Sequence, residues 1–103
     1  MAGESGAAIT LAARVRRRAD VVTRELGGEL VLLNLATGVY FGLDAVGTRM
    51  WTVLGETPTL ADALPVLLAE YDVAPARCER DLVSLVAALG EHRLLDVLGG
   101  PAA

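Results

Sequence analysis

The sequence predicts an α+β fold, a three-stranded antiparallel meander followed by three α-helices. Three observations predict it. Short β-rich runs at Val21–Leu26, Glu29–Leu35 and Val39–Leu43 are separated by two glycine-bearing turns, Gly27-Gly28 and Ala36-Thr37-Gly38. After Asp44 the apolar residues change from strand alternation to helical spacing. The chain has 103 residues, 53% of them hydrophobic, which is enough for one core and too few for two domains.

Taken in order, residues 1–8 are small and polar and are expected to be disordered. The domain is expected over 9–98, with a tail from Gly99. Ile9–Val15 offers either an added short strand or an arm lying along the domain. Arg14, Arg16, Arg17 and Arg18 form a basic cluster, readable as a solvated segment balancing an acidic domain or as a contact for an acidic partner. The second strand of the meander is apolar on both sides, Leu30 and Leu32 on one and Val31, Leu33 and Leu35 on the other. Helices can cover one side. The arm, a second copy or a partner must cover the other.

Asp44 is placed to cap the first helix, whose expected stripe is Val46, Met50, Val53 and Leu54, flanked by Trp51 and ended by Gly55. Thr59 with Asp62 resembles a capping box for the second helix. Its stripe is Leu60, Leu64, Leu67, Leu68 and Tyr71, and Pro65 within it is expected to kink it. Pro75 suits the first turn of the third helix, which presents Cys78, Leu82, Leu85, Val86 and Leu89. Gly90, His92 and Arg93 mark its end, and Leu94–Leu98 should pack back on the core.

Catalytic and metal chemistry find little support. His92 and Cys78 are the only residues of their types, and Ser5 and Ser84 have no base beside them in sequence. No enzymatic activity, metal or cofactor is expected. One cysteine, no apolar run near the ~20 residues that span a bilayer, and an N-terminus whose charges follow its apolar part point to a cytoplasmic protein. The net charge of −4 argues against a nucleic-acid partner.

Three strands with three helices have a winged-helix-like outline, which permits two binding modes. A DNA regulator would read a groove with its third helix. Here Arg77, Arg80 and Arg93 are offset by Glu79, Asp81 and Glu91, so phosphate attraction would be poor. The other mode is strand addition. The third strand ends the meander, so one of its edges should be open to an extended peptide. A proline at Phe41 should then abolish binding if the Phe41 N–H faces that peptide. A dimerisation module, with a homodimer covering the doubly apolar sheet, is a further alternative.

The run VVTRELGGELVLLNLATGVYFGLDAVGTRMWTVL resembles the PqqD-like family, the RiPP precursor-recognition elements. A turn, aromatic strand, cap and helix signature falls on Thr37, Gly38, Tyr40, Phe41, Leu43, Asp44, Gly47, Met50 and Trp51. The stretch EYDVAPARCERDLVSLVAALGEHRLL looks like the family's third helix, and the resemblance covers about residues 9–97. Pro65 and Gly90 depart from the pattern.

The resemblance implies a non-catalytic peptide chaperone. It would bind the leader of a ribosomally made precursor and deliver it to maturation enzymes. The leader would pair with Val39, Tyr40, Phe41, Gly42 and Leu43. Asp81, Leu82 and Leu85 would wall the groove, with Arg77, Ser84 and Ala88 on adjacent positions. A stand-alone copy of this size looks most like lasso-peptide cluster members, which work beside a leader peptidase and a cyclase. Relatives serving radical-SAM enzymes, as in the pyrroloquinoline quinone pathway, share the fold.

Overall fold

A computed structural model describes residues 9–99. The elements run β1 (Ala13–Arg17), β2 (Val21–Leu26), β3 (Glu29–Asn34), β4 (Tyr40–Gly42), α1 (Ala45–Glu56), α2 (Leu60–Glu70), α3 (Pro75–Glu91) and β5 (Leu95–Gly99). The expected meander is β2-β3-β4, antiparallel throughout, and the three helices follow it. Its first turn is built by Gly27 and Gly28, with φ of 63° and 87°, the left-handed pair that a two-residue hairpin requires. The expectations for residues 1–8 and 100–103 lie outside the described residues. Gly99, expected to begin the tail, instead closes β5.

A second, two-stranded sheet joins the two ends of the domain. β1 pairs antiparallel with β5, from Ala13 opposite Gly99 to Arg17 opposite Leu95. The Val15 N–H donates to the Pro58 carbonyl at 2.9 Å, and Arg14 bridges Thr59, so β1 is also held at the start of α2. The expected arm at Ile9–Val15 therefore does not cover the outer side of the meander. That side keeps Val22, Leu26, Leu35 and Tyr40 exposed.

The helices bury one stripe each. Asp44 caps α1 as expected, its Oδ1 accepting the Gly47 N–H at 2.8 Å. Two details of α1 differ from expectation. Trp51 is in the core at 3% exposure, whereas Val46, in the first turn, is left 42% exposed. The helix also runs one residue past Gly55. That glycine answers to packing, because a Cβ there would lie 2.5 Å from the Arg17 guanidinium.

In α2, Thr59 makes no side-chain cap. Its carbonyl accepts from Asp62 and Ala63 instead, so the capping box is not formed. Leu60, Ala63 and Leu67 are its buried residues, and the helix stays one element through the exposed Pro65.

Pro75 opens α3, which buries Cys78, Leu82, Val86 and Leu89. Its end is a paired-bond cap: the Leu94 N–H reaches the Leu89 carbonyl and the Arg93 N–H reaches Gly90. The residue at the left-handed position is Arg93, with φ of 59°, where glycine is usual. Leu94 and Leu95 then enter the core as expected, at 0% and 2% exposure.

Candidate functional site

The ladder pattern fixes which way each residue of β4 faces. The Asn34 N–H donates to the Val39 carbonyl at 2.9 Å, and the Leu43 N–H donates to the Leu30 carbonyl at 2.8 Å. Between these, Leu32 stands opposite Phe41. Hydrogen-bonded pairs in an antiparallel ladder recur every second residue, so Phe41 directs its N–H and C=O at β3. Tyr40 and Gly42 direct theirs away from the sheet. The other side of β3 agrees, since the Leu35 N–H bonds to the Asp20 carbonyl and places the odd-numbered residues of β3 against β2. The open edge of β4 thus presents the N–H and C=O of Tyr40 and Gly42. The Phe41 N–H belongs to the ladder, which corrects the assumption behind a proline test at Phe41.

Two polar side chains set the length of this strand. Thr48 Oγ1, on α1, accepts the Leu30 N–H at 2.9 Å and donates to the Leu43 carbonyl at 3.4 Å, ending the ladder on one side. Asn34, fully buried, ends it on the other. Its Oδ1 accepts the N–H groups of Ala36 and Thr37 at 2.8 and 3.0 Å, and its Nδ2 donates to the Arg93 carbonyl at 2.6 Å. One buried amide therefore ties the β3–β4 turn to the end of α3 and holds Arg93 in its left-handed conformation. The sequence reading missed it. The available signal was a single asparagine in the apolar run before Ala36-Thr37-Gly38.

The exposed stripe of α3 consists of Arg77, Asp81, Ser84, the half-buried Leu85 and Ala88, and then His92. The His92 ring packs tilted against Phe41, with ring centroids 5.3 Å apart at 48°, which brings the C-terminal end of this stripe to β4. Arg77 and Asp81 face each other at 3.8 Å one turn apart, both well exposed.

The expected site residues divide by burial. Tyr40 is 72% exposed and Val39 37%, and Phe41 is half-buried against the core. Leu43 and Leu82, at 4% and 0%, are core residues, so neither side chain lines an open surface.

A family model described as coenzyme PQQ synthesis protein D (PqqD) matches residues 29–95, from β3 to the start of β5. The chain belongs to the PqqD family. Two solved structures are similar to it. One, described as TbiB1 in complex with the TbiA(beta) leader peptide, is 41% identical with a TM-score of 0.73, covering 79% of this chain and 94% of that one. The other, a lasso peptide synthetase B1 complexed with the leader peptide, is 27% identical with a TM-score of 0.72, covering 80% and 96%. No curated protein matches the chain significantly.

Other features of this PqqD-family chain are accounted for by packing. Burial pushes the Cys78 thiol up from its ordinary range, and the Asp81 carboxylate adds to that, which suits an inert core thiol. Among the described residues no three His, Cys, Asp or Glu side chains gather as a metal site, and no helix is long and apolar enough to cross a membrane.

The basic cluster is largely engaged within the chain. Arg17 lies 4.4 Å over the Trp51 ring and donates to the Trp51 carbonyl. Arg16 and Arg18 both pair with Asp96, and Arg18 also with Asp20. Burial holds the Arg17 guanidinium below its ordinary range.

Proposed function

We propose that this protein binds the leader segment of a ribosomally synthesised precursor peptide by antiparallel strand addition to β4, and hands it to maturation enzymes of a lasso-peptide pathway. The observation that carries this reading is the open β4 edge, an uncharged Tyr-Phe-Gly strand whose outward N–H and C=O groups stand beside the exposed stripe of α3. Main-chain bonds would give affinity, and alternate peptide side chains would give specificity. Side chains on the inner face would meet Phe41 and His92, and then Leu85 and Ala88, with Ser84, Asp81 and Arg77 farther along the helix. Val39 adds apolar surface beside β4, while Leu43 and Leu82 support the site from the core.

Likeness to two proteins solved with leader peptides supports the same reading. Strand addition over about five residues with two or three anchors would give micromolar to nanomolar affinity, roughly −8 to −12 kcal/mol. The protein itself does no chemistry here. Its role is presentation, in the cytoplasm, to a leader peptidase and a cyclase. The family description favours a second reading, the same recognition in service of a radical-SAM enzyme of the pyrroloquinoline quinone type.

Fluorescence anisotropy with a labelled leader peptide, from the precursor encoded beside this protein's gene, tests the proposal, with a labelled DNA duplex as control. Saturable binding of the peptide and none of the duplex is expected. No peptide binding by a folded sample would overturn it, and sizing at several concentrations would then test the homodimer.

A further inference from the structure

Gly42 has neither of the structural reasons that usually call for glycine. Its φ is not positive, and a Cβ built on it meets no heavy atom within 4 Å. Gly38, by contrast, needs its φ of 78° for the β3–β4 turn. A glycine inside a strand weakens it and often marks a close approach by something else. Among the described residues nothing approaches Gly42.

The register shows what lies beside it. Gly42 stands opposite Val31, which stands opposite Arg24, and the neighbouring row is Val22, Leu33 and Tyr40. These side chains share the sheet face that points away from the helices. A depression of about 550 Å³ on that face is lined by Val22, Thr23, Arg24, Val31, Leu33 and Tyr40. In a strand added to β4, the residue opposite Gly42 would exchange both main-chain bonds with it. The side chain of that residue would project onto this same outer face. Bare backbone at Gly42 leaves its path to Val31 clear.

We infer that Gly42 opens a subsite on the outer sheet face for one bulky apolar side chain of the bound peptide, best an aromatic ring, which crosses Gly42 to rest on Val31 beside Tyr40. The inference rests on the strand-addition reading. An aromatic neighbour covering a glycine is a known means of stabilising a sheet edge. Val22, Val31, Leu33 and the Tyr40 ring supply apolar lining, and Arg24 beside them favours an aromatic face. The peptide is then read from both sides of the extended sheet. The residue opposite Phe41 is read on the helix side, and the residue opposite Gly42 on the outer side.

The test titrates the same labelled leader peptide, and single-alanine variants of it, against the wild type, Gly42→Ala and Gly42→Val. The Cβ that both substitutions add meets no heavy atom of the described residues within 4 Å, and circular dichroism checks the fold of each variant. Gly42→Val is expected to weaken binding at least tenfold and Gly42→Ala less. One bulky peptide position should lose tenfold on alanine substitution in the wild type and less than twofold in Gly42→Val. Gly42→Val affinity within twofold of the wild type overturns the inference, as does an equal loss across every peptide variant. Failure of the wild type to bind any leader overturns the strand-addition reading, and this inference with it.

Discussion

The two edges of the meander are built from the same ladder and defended differently. β2 leaves the N–H groups of Thr23 and Glu25 facing outward, and it carries Arg24 and Glu25 side by side along six residues. Charged side chains on an edge discourage another strand from pairing there. β4 has three residues and no charge, and it is flanked by the end of α3 through the Phe41–His92 contact. In the proposed reading, the unguarded edge is the one the leader peptide pairs with. The shortness of β4 also limits self-pairing between copies, while a peptide held by α3 as well gains contacts that a second β4 would not supply.

The largest predicted effect breaks this comparison directly. Tyr40→Pro or Gly42→Pro removes an outward N–H and leaves the ladder to β3 intact. Each should weaken leader binding by about a hundredfold or more, about 3 kcal/mol, with the circular dichroism spectrum unchanged. Thr23→Pro, the matching change on the β2 edge, should leave affinity within twofold. Phe41→Pro, in contrast, removes a ladder bond to Leu32 and should unfold the strand, so loss of binding there would say nothing of the edge. Equal losses from the β2 and β4 prolines would contradict the asymmetry.

A smaller effect concerns what holds the β4 edge in place. Asn34→Ala orphans the N–H groups of Ala36 and Thr37 and the Arg93 carbonyl. Urea denaturation should show a loss of about 2–3 kcal/mol, and the β3–β4 turn and the end of α3 should lose hydrogen-exchange protection together. A loss confined to the turn would mean that the link to Arg93 carries no weight.

The smallest effect is at the helix. Asp81→Ala breaks an exposed pair with Arg77, so stability should change by less than about 0.5 kcal/mol, while leader affinity should fall severalfold. Unchanged affinity with an intact fold would remove Asp81 from the site.

How much of this was legible in the sequence depended on how far each cause reaches along the chain. The Gly27-Gly28 hairpin, the Asp44 cap and the Pro75 start are decided within a few residues, and each was readable. The partners of Asn34 and Thr48 lie partly in other elements, 59 residues away for Arg93 and 18 for Leu30. Nothing local marks them. The pairing of β1 with β5 and the sharing of Asp96 by Arg16 and Arg18 span about 80 residues, which is why the basic cluster read as solvated or partner-binding. Leu82 and Leu85 occupy the same apolar spacing, and only packing sent one to 0% exposure and left the other half-buried. The third strand, expected over Val39–Leu43, is Tyr40–Gly42, and its outward residues follow only from counting the ladder. One residue of phase turns Phe41 from an edge donor into a ladder donor.

The most direct test of the central claim is amide hydrogen exchange at Tyr40, Phe41 and Gly42, with and without the leader peptide. In the free protein Phe41 should be protected, and Tyr40 and Gly42 should exchange at least tenfold faster. Saturating leader should slow Tyr40 and Gly42 by tenfold or more and leave Thr23 and Glu25 on the β2 edge unchanged. Tight leader binding with Tyr40 and Gly42 still exchanging at their free rates would show that the peptide is held elsewhere, and would contradict strand addition at β4.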